Sequence, residues 1–289
     1  MSIRHDLVHS ISRLFRQREN SYATHADRRK MLSHFASELV CLGYGLRNIN
    51  GLKQKHVVAV VNRWKEKKLA IATIKNRLAA IRKMCDRLGK RNLVPSNKVL
   101  EIGRRNYVPT RNRAIYSPDF SGITNQHIRI SLELQRVFGL RREESMKIKP
   151  HMADKGNRIE LLPTWCKGGR SRIVPLRTEE QRFWLEQAKE LAGKFGNSLI
   201  PEKSSYIRHR NVYEKQVLRA GLRNLHGLRH AYAQQRYSQL TGWESPLCGG
   251  PSSRELTAVQ KKIDFEVRLI LSEELGHSRE QITVNYLGR

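Results

Sequence analysis

The sequence predicts a mainly α protein in two parts, a helical bundle followed by an α+β domain with one small antiparallel sheet. Three observations carry that prediction. Apolar residues recur at helical spacing in four successive segments of the first third of the chain. A stretch with two prolines and no helical period, NYVPTRNRAIYSPDF, then interrupts the pattern. Beyond it, two β-prone runs flank a Gly-Gly pair among further helical patterns. The expected boundaries are a bundle over 1–106, a linker over 107–120 and a second domain over 121–289.

Leu7, Ile11 and Leu14 mark the first helix. Met31, Phe35, Leu39 and Leu42 mark the second, which Gly43 ends. Val57, Val60, Val61 and Trp64 form the third stripe. Ile74, Leu78, Ile81, Cys85 and Leu88 form the fourth, with Thr73 near its start and Gly89 as its stop. In the second domain a helix follows Thr124. The strands are read over NRIELLPTW (157–165) and SRIVPL (171–176), joined by a Gly-Gly turn. Thr178 and Gln181 form a capping box, opening a helix that runs towards Lys194. Helical patterns return over 204–219, 225–237 and 255–274, the last two separated by the loop GGPSS.

Charge narrows the partner. The 289 residues carry a formal net charge of +29, with a pI near 10.6. Residues 1–110 hold 24 Lys/Arg against 7 Asp/Glu, a net of +17, and the remainder nets +12. Such self-repulsion disfavours a compact state unless a polyanion relieves it. Nucleic acid is the first candidate and an anionic membrane surface the second. No apolar run approaches the roughly 18 residues needed to span a bilayer, and MSIRHDLVHSISRLF lacks the apolar block of a signal peptide. A soluble, cytoplasmic protein is expected, nucleoid-associated in a bacterium. The four cysteines are far apart with no CxxC, so neither a zinc ribbon nor a dithiol motif is supported. Lys167 could lower the pKa of the neighbouring Cys166, but an ordinary reduced thiol is the preferred reading. Neither G-x-x-x-x-G-K-[ST] nor G-x-G-x-x-G occurs.

Five places could do chemistry, and each alone has an ordinary explanation. In FGLRREESMKIKP, Arg141 and Glu144 are spaced i, i+3, which a surface ion pair explains. Lys167 lies at the expected hairpin tip, where an ordinary solvent-facing lysine would also lie. In NLHGLRHAYAQQRY, His226, Arg229 and His230 share one helix side, opposite Leu225, Leu228, Ala231 and Tyr232. A solvated cationic face is the plain alternative to an anion site. His277, in LGHS, follows a helix end, where histidines commonly cap. Tyr286 could simply cover a core edge with Ile282. Together, however, two arginines, two histidines and a lysine can surround one phosphate and neutralise a pentacoordinate transition state. Preorganised donors of this kind can each contribute about 2.7–4 kcal/mol. A tyrosine hydroxyl can then serve as nucleophile.

The order Arg, Lys, His-x-x-Arg, Leu-Gly-His, Tyr resembles the tyrosine recombinase (phage integrase) family. GLRREE resembles its Gly-x-Arg-x-x-Glu box, implying a catalytic Arg141 supported by Glu144. KGGRSRIVPL resembles its hairpin, implying that Lys167 protonates the leaving 5′-oxygen. HGLRH implies His226 and Arg229 as the His-x-x-Arg pair, with His230 supporting. LGHS places the second histidine at His277, and Tyr286, nine residues on, matches the nucleophile. AIATIKNRLAAIRKMCDRLGK resembles a helix of the family's core-binding domain. The resemblance therefore implies the family's DNA breaking–rejoining fold, with a core-binding domain and a catalytic domain closing around DNA. It also implies DNA contacts from Lys75, Arg77, Arg82 and Lys83 on that helix and from Arg170 and Arg172 on the hairpin.

Double-stranded DNA with a specific recombination site is the implied partner, engaged by a tetramer, with accessory DNA-bending proteins as further partners and no membrane. No nucleotide or metal cofactor is implied, because the covalent bond conserves energy and arginines supply the electrostatics. Two departures stand out. Arg229 and His277 are 48 residues apart, wider than the family's usual spacing, with the excess assigned to LTGWESPLCGGPSSREL (240–256). Only Leu287, Gly288 and Arg289 follow Tyr286, where many members carry a segment that docks on the next subunit. The competing readings are a type IB topoisomerase, which would relax supercoils without a specific site, and a non-catalytic basic DNA-binding protein.

Overall fold

The computed structural model describes residues 2–17 and 21–289. These residues divide into two compact units, the chain passing from one to the other between Asn106 and Tyr107.

The first unit contains α1 (Ile3–Leu14), α2 (Tyr22–Cys41), α3 (Gln54–Glu66) and α4 (Ile71–Arg87). The four stripes pack inward around Leu7, Phe35, Leu39, Val60, Trp64, Leu78 and Ile81. In α2 the buried face runs through Leu32, Phe35, Ala36 and Leu39, so Met31 is at its edge. The cap of α4 is Ala70, which makes no side-chain capping bond, rather than Thr73. Beyond its other end, Lys90 Nζ donates to the Leu52 carbonyl at 3.2 Å.

The second unit runs α5 (Gln126–Phe138), α6 (Arg142–Lys147), α7 (Pro150–Ala153), β1 (Arg158–Leu161), β2 (Arg172–Pro175), α8 (Glu179–Ala192), α9 (Tyr206–Arg219), α10 (Gly227–Thr241), α11 (Ala258–Glu274) and α12 (Val284–Leu287). Its centre is α5, buried on opposite sides. Ile130, Leu134 and Phe138 enter one core, with α8, α10 and α11, while Ile128 and Leu132 enter another, with Tyr213 and Leu228. Its polar side chains on these faces are paired, Ser131 with Ser145 at 2.7 Å and Gln135 with the Tyr213 hydroxyl at 3.3 Å. Gly139 ends α5 in the left-handed conformation at φ 59°, and a Cβ there would lie 2.5 Å from the Tyr232 ring. The missing side chain lets α10 cross α5 at close range.

The sheet is smaller than the sequence suggests. β1 and β2 pair antiparallel from Arg158↔Pro175 to Leu161↔Arg172. The first strand stops at Leu161 because Pro163 has no N–H to donate and opens a 3₁₀ turn, Pro163–Trp165. The Gly-Gly pair therefore makes no tight hairpin: residues 162–171 form an open connection, with Gly168 at φ 76° and Gly169 at φ 67°. The Thr178–Gln181 capping box opens α8 as the sequence predicts. The long segment between α10 and α11 folds as a compact turn, with Ser245 fully buried and a 3₁₀ turn over Pro246–Cys248.

Candidate active site

Four chain segments of the second unit converge on one carbonyl oxygen. α11 ends at Leu275 in a Schellman motif: Gly276 N–H bonds to the Glu273 carbonyl at 2.8 Å and His277 N–H to the Ser272 carbonyl at 2.7 Å. Gly276 takes φ 65°, which swings His277 back against the helix end. The Leu275 carbonyl stays free of the helix ladder at the negative end of the macrodipole. It accepts from Arg141 Nη2 at 3.0 Å, from Arg172 Nη1 at 3.3 Å and from Arg229 Nη2. One backbone oxygen thus gathers three guanidinium groups.

Each arginine arrives by a different local route. Arg141 caps α6, and its own backbone N–H and Nη1 both bond to the Glu144 carboxylate, at 2.6 Å each. Arg172 begins β2 and meets Glu144 at 2.9 Å. Arg229, only 1% exposed, lies in the first turn of α10 and also donates to the Gly139 carbonyl. Burial alone would raise the Glu144 carboxyl, but Arg172, Arg141 and Arg229 hold it below its ordinary value. Burial, with Arg229 close by, lowers Arg172 to about 10. Three guanidiniums against one carboxylate leave two positive charges in a site largely out of water.

Tyr286 is on α12, its side chain 5% exposed. Its phenolic oxygen lies 3.3 Å from Arg229 Nε and 3.3 Å from His277 Nε2. Burial, followed by the charges of Arg229, Arg141 and Arg172, lowers His277 to about 4, so its imidazole is neutral at pH 7. Arg229 Nε can only donate, so the phenol accepts from Arg229 and donates to the neutral His277. His230 packs against the Tyr286 ring at a tilt of 55°, with centroids 4.8 Å apart, and His226 stands 6.1 Å away. Burial and the neighbouring His226 and Arg113 lower His230 to about 4, and its Nδ1 is buried without a partner. His226 is exposed; desolvation on its inner side and Arg229 lower its pKa. Gly227, beside it, must lack a side chain, since a Cβ would fall 2.4 Å from the Arg113 carbonyl oxygen.

The structure brings Arg141, Glu144, Arg229, His226, His230, His277 and Tyr286 together. Arg229 and His230 are buried, with the Gly139 carbonyl and the Tyr286 ring against them, so the plain alternative of a solvated cationic face does not apply. One expectation needs correction: Arg172 is not a surface DNA contact, because its side chain is 2% exposed and paired with Glu144. Strand parity could have signalled this, since Arg172 shares a face with the fully buried Val174 while Ile173 is 51% exposed. The Cys166 thiol is raised, as suits an ordinary reduced thiol, because burial and nearby Glu144 outweigh the arginines.

Lys167 is not brought to the cluster. It is exposed on the β1–β2 connection, with no hydrogen bond or ion pair among the described residues, and Arg170 beside it is equally open. In the first unit, Lys75 is half-buried, Arg77 lies over the Trp64 ring at 5.1 Å, and Arg82 is committed to Pro95 and Asn97 at 2.9 Å each. Lys83 lines a shallow cleft between α2 and α4.

Two family models match the chain: phage integrase, N-terminal, over residues 5–94, and integrase over residues 114–235. Among curated proteins no sequence matches. Among solved structures, the fold resembles the Tn1549 transposon integrase (residues 82–397) in complex with circular intermediate DNA, at TM-score 0.53 and 16% identity, covering 100% of this chain and 96% of that one. The Y379F form of that integrase, in complex with transposon right end DNA, gives 0.55 and 15%, covering 100% and 95%. The XerH site-specific recombinase, in a post-cleavage complex with palindromic difH, gives 0.53 and 17%, covering 90% and 73%. At these identities the likeness is one of fold. No helix among the described residues is long and apolar enough to cross a membrane.

Proposed function

We propose, for a chain that belongs to the tyrosine recombinase (phage integrase) family, that Tyr286 cleaves one strand of a specific DNA site and that the same bond is then used to rejoin strands. The protein is a site-specific recombinase. The observation that carries the assignment of roles is the phenolic oxygen held between Arg229 Nε and His277 Nε2, at 3.3 Å from each.

The Tyr286 oxygen bonds to the scissile phosphorus while the bond from phosphorus to the 5′-oxygen breaks. The phenolic proton passes to the neutral His277, and the departing 5′-oxygen takes a proton from Lys167. A 3′-phosphotyrosyl bond and a free 5′-hydroxyl result, and attack by a partner strand's 5′-hydroxyl reverses the exchange. Arg141, Arg229 and His226 are the phosphate ligands, and the two uncompensated positive charges match the two negative charges of the phosphorane. Glu144 orients Arg141, and His230 supports the tyrosine ring. Lys167 acts from the β1–β2 connection, so that segment has to carry its ammonium to the phosphate when DNA binds.

The bundle's helix α4, with Lys75, Arg77 and Lys83, supplies phosphate contacts to duplex DNA, as does Arg170. Exchange between two duplexes requires four cleavages, hence four copies of the chain on DNA. Incubation with a nicked suicide duplex of the target site traps a covalent adduct, and the target is found by sequencing DNA that co-purifies covalently. An adduct that persists in Tyr286→Phe would refute the nucleophile.

A further inference from the structure

Gln234 does not touch the guanidinium cluster, yet it grips the backbone of the tyrosine. It is 1% exposed on α10, one turn beyond His230. Its Nε2 donates to the Tyr286 carbonyl oxygen at 2.7 Å and to Asn112 Oδ1 at 2.9 Å. Asn112 Nδ2 donates back to Gln234 Oε1 at 3.2 Å, so the two amides form a reciprocal pair. The Tyr116 hydroxyl and the Cys248 thiol, at 3.2 Å, reach the same Oε1. Burial, with Cys248 alongside, pushes the Tyr116 phenol up to about 12, which keeps it a donor.

Cys248 belongs to the extra segment between the His-x-x-Arg and Leu-Gly-His boxes. Gly242 starts it as a left-handed cap at φ 82°, and a Cβ on Gly250 would fall 1.7 Å from the Glu244 carbonyl oxygen. The turn so formed lies against the end of α12, where a Cβ on Gly288 would meet Leu247 Cγ at 3.1 Å. α12 is a single turn of four residues. One turn cannot hold itself in water, and its last carbonyls have no partner within the helix. Gln234 supplies that partner to Tyr286.

We propose that Gln234 is a positioning residue for the nucleophile. It fixes the α12 backbone so that the Tyr286 oxygen stays between His277 and Arg229, and Asn112, Tyr116 and Cys248 lock its amide in that orientation. The extra segment is thereby a cradle for α12. Because Asn112 and Tyr116 lie in the stretch read as the linker, the linker's path and the nucleophile's position depend on each other. The proposal rests on Tyr286 being the nucleophile.

The test uses the full chain and a nicked suicide duplex carrying the sequence recovered from its own covalent adducts. Gln234→Met keeps the side chain's bulk and removes both amide functions. It is expected to slow adduct formation about 10–100-fold, the effect of a misplaced reacting atom, while duplex binding in a mobility-shift assay stays within about twofold. Asn112→Ala, which never touches Tyr286, is expected to slow the same step by a smaller factor. Cys248→Ser, which keeps a donor to Oε1, is expected to react faster than Cys248→Ala. Adduct formation by Gln234→Met within about twofold of the parent overturns the proposal. If that variant does not fold, parental rates in both Asn112→Ala and Cys248→Ala overturn it instead. Tyr286→Phe run in parallel separates the two ideas. An adduct there refutes the nucleophile, whereas its absence together with a parental rate in Gln234→Met refutes only the positioning.

Discussion

Arg172 and Glu144 meet at 2.9 Å with side chains 2% and 1% exposed, so the ion pair at the base of the site is almost wholly out of water. A buried pair is weak evidence of net stabilisation, but breaking it strands the surviving charge. Glu144→Ala leaves Arg141 and Arg172 without their carboxylate, and a stability loss of about 3–5 kcal/mol is expected. Thermal denaturation should show a Tm lower by roughly 10 °C. An unchanged Tm would mean that solvent reaches the pair.

The histidines make stability depend on pH in a window that can be named. His277 and His230 are lowered to about 4 in the folded state, against about 6.5 unfolded. Between those values the unfolded chain binds more protons, so stability falls as pH drops from about 6.5 towards about 4. The loss is on the order of 2 kcal/mol for each ring after allowing for partial exposure. Glu144, held below its ordinary value, adds a further loss below its unfolded pKa of about 4.3. Melting curves of His230→Phe should show a shallower decline across the first window. A decline identical to the parent's would remove His230 from the account.

Gly276→Ala should separate folding from chemistry. A side chain at φ 65° costs about 1–2 kcal/mol. Its Cβ would also lie 3.0 Å from Arg172 Cδ and 3.4 Å from Arg141 Nη1. Arg172 would have to give way by a few tenths of an ångström while the Leu275–His277 turn strains, and adduct formation is expected to fall by about 10–100-fold in a protein that still melts cooperatively. Kinetics indistinguishable from the parent would show that the cluster tolerates the displacement.

Lys167→Ala tests a residue that the fold does not need. Lys167 is exposed and partnerless among the described residues, so its loss should move stability by less than about 0.5 kcal/mol. Cleavage should slow by about 100-fold or more if it is the general acid. A leaving group that needs no proton, a 5′-thiol in place of the 5′-hydroxyl, should restore the rate. No restoration would argue for a binding role instead.

Surface and committed cations should behave differently. Lys75→Ala and Arg170→Ala are each expected to reduce the salt dependence of duplex binding by about one unit of slope without changing Tm. Arg82→Ala removes bonds to Pro95 and Asn97, and a stability loss of about 1–2 kcal/mol is expected before any effect on DNA. Titration of binding against salt, with melting curves alongside, distinguishes the two kinds.

Much of the fold was legible because its signals are local. Helical spacing marked Leu7 through Trp64, and the Thr178–Gln181 box opened α8, since capping and periodicity are properties of a few neighbouring residues. The strands were overread because Leu162 to Trp165 looks β-prone, whereas Pro163 withdraws a donor from the ladder. In the site, the residue types and their order named Arg141, His226, Arg229, His277 and Tyr286. The order cannot say where a side chain points.

By itself the sequence determined that the chain is helical and basic, where most of its helices lie, and which groups could act on a phosphate. Tertiary structure alone decided that three arginines share the Leu275 carbonyl, that Arg172 pairs with Glu144, and that Gln234 holds the Tyr286 backbone. The reason is the range of the interactions. Propensity and periodicity act over a turn or two of chain, whereas Arg141 and Leu275, or Asn112 and Gln234, meet only once the intervening chain has folded, with burial fixing each pair's charge and geometry.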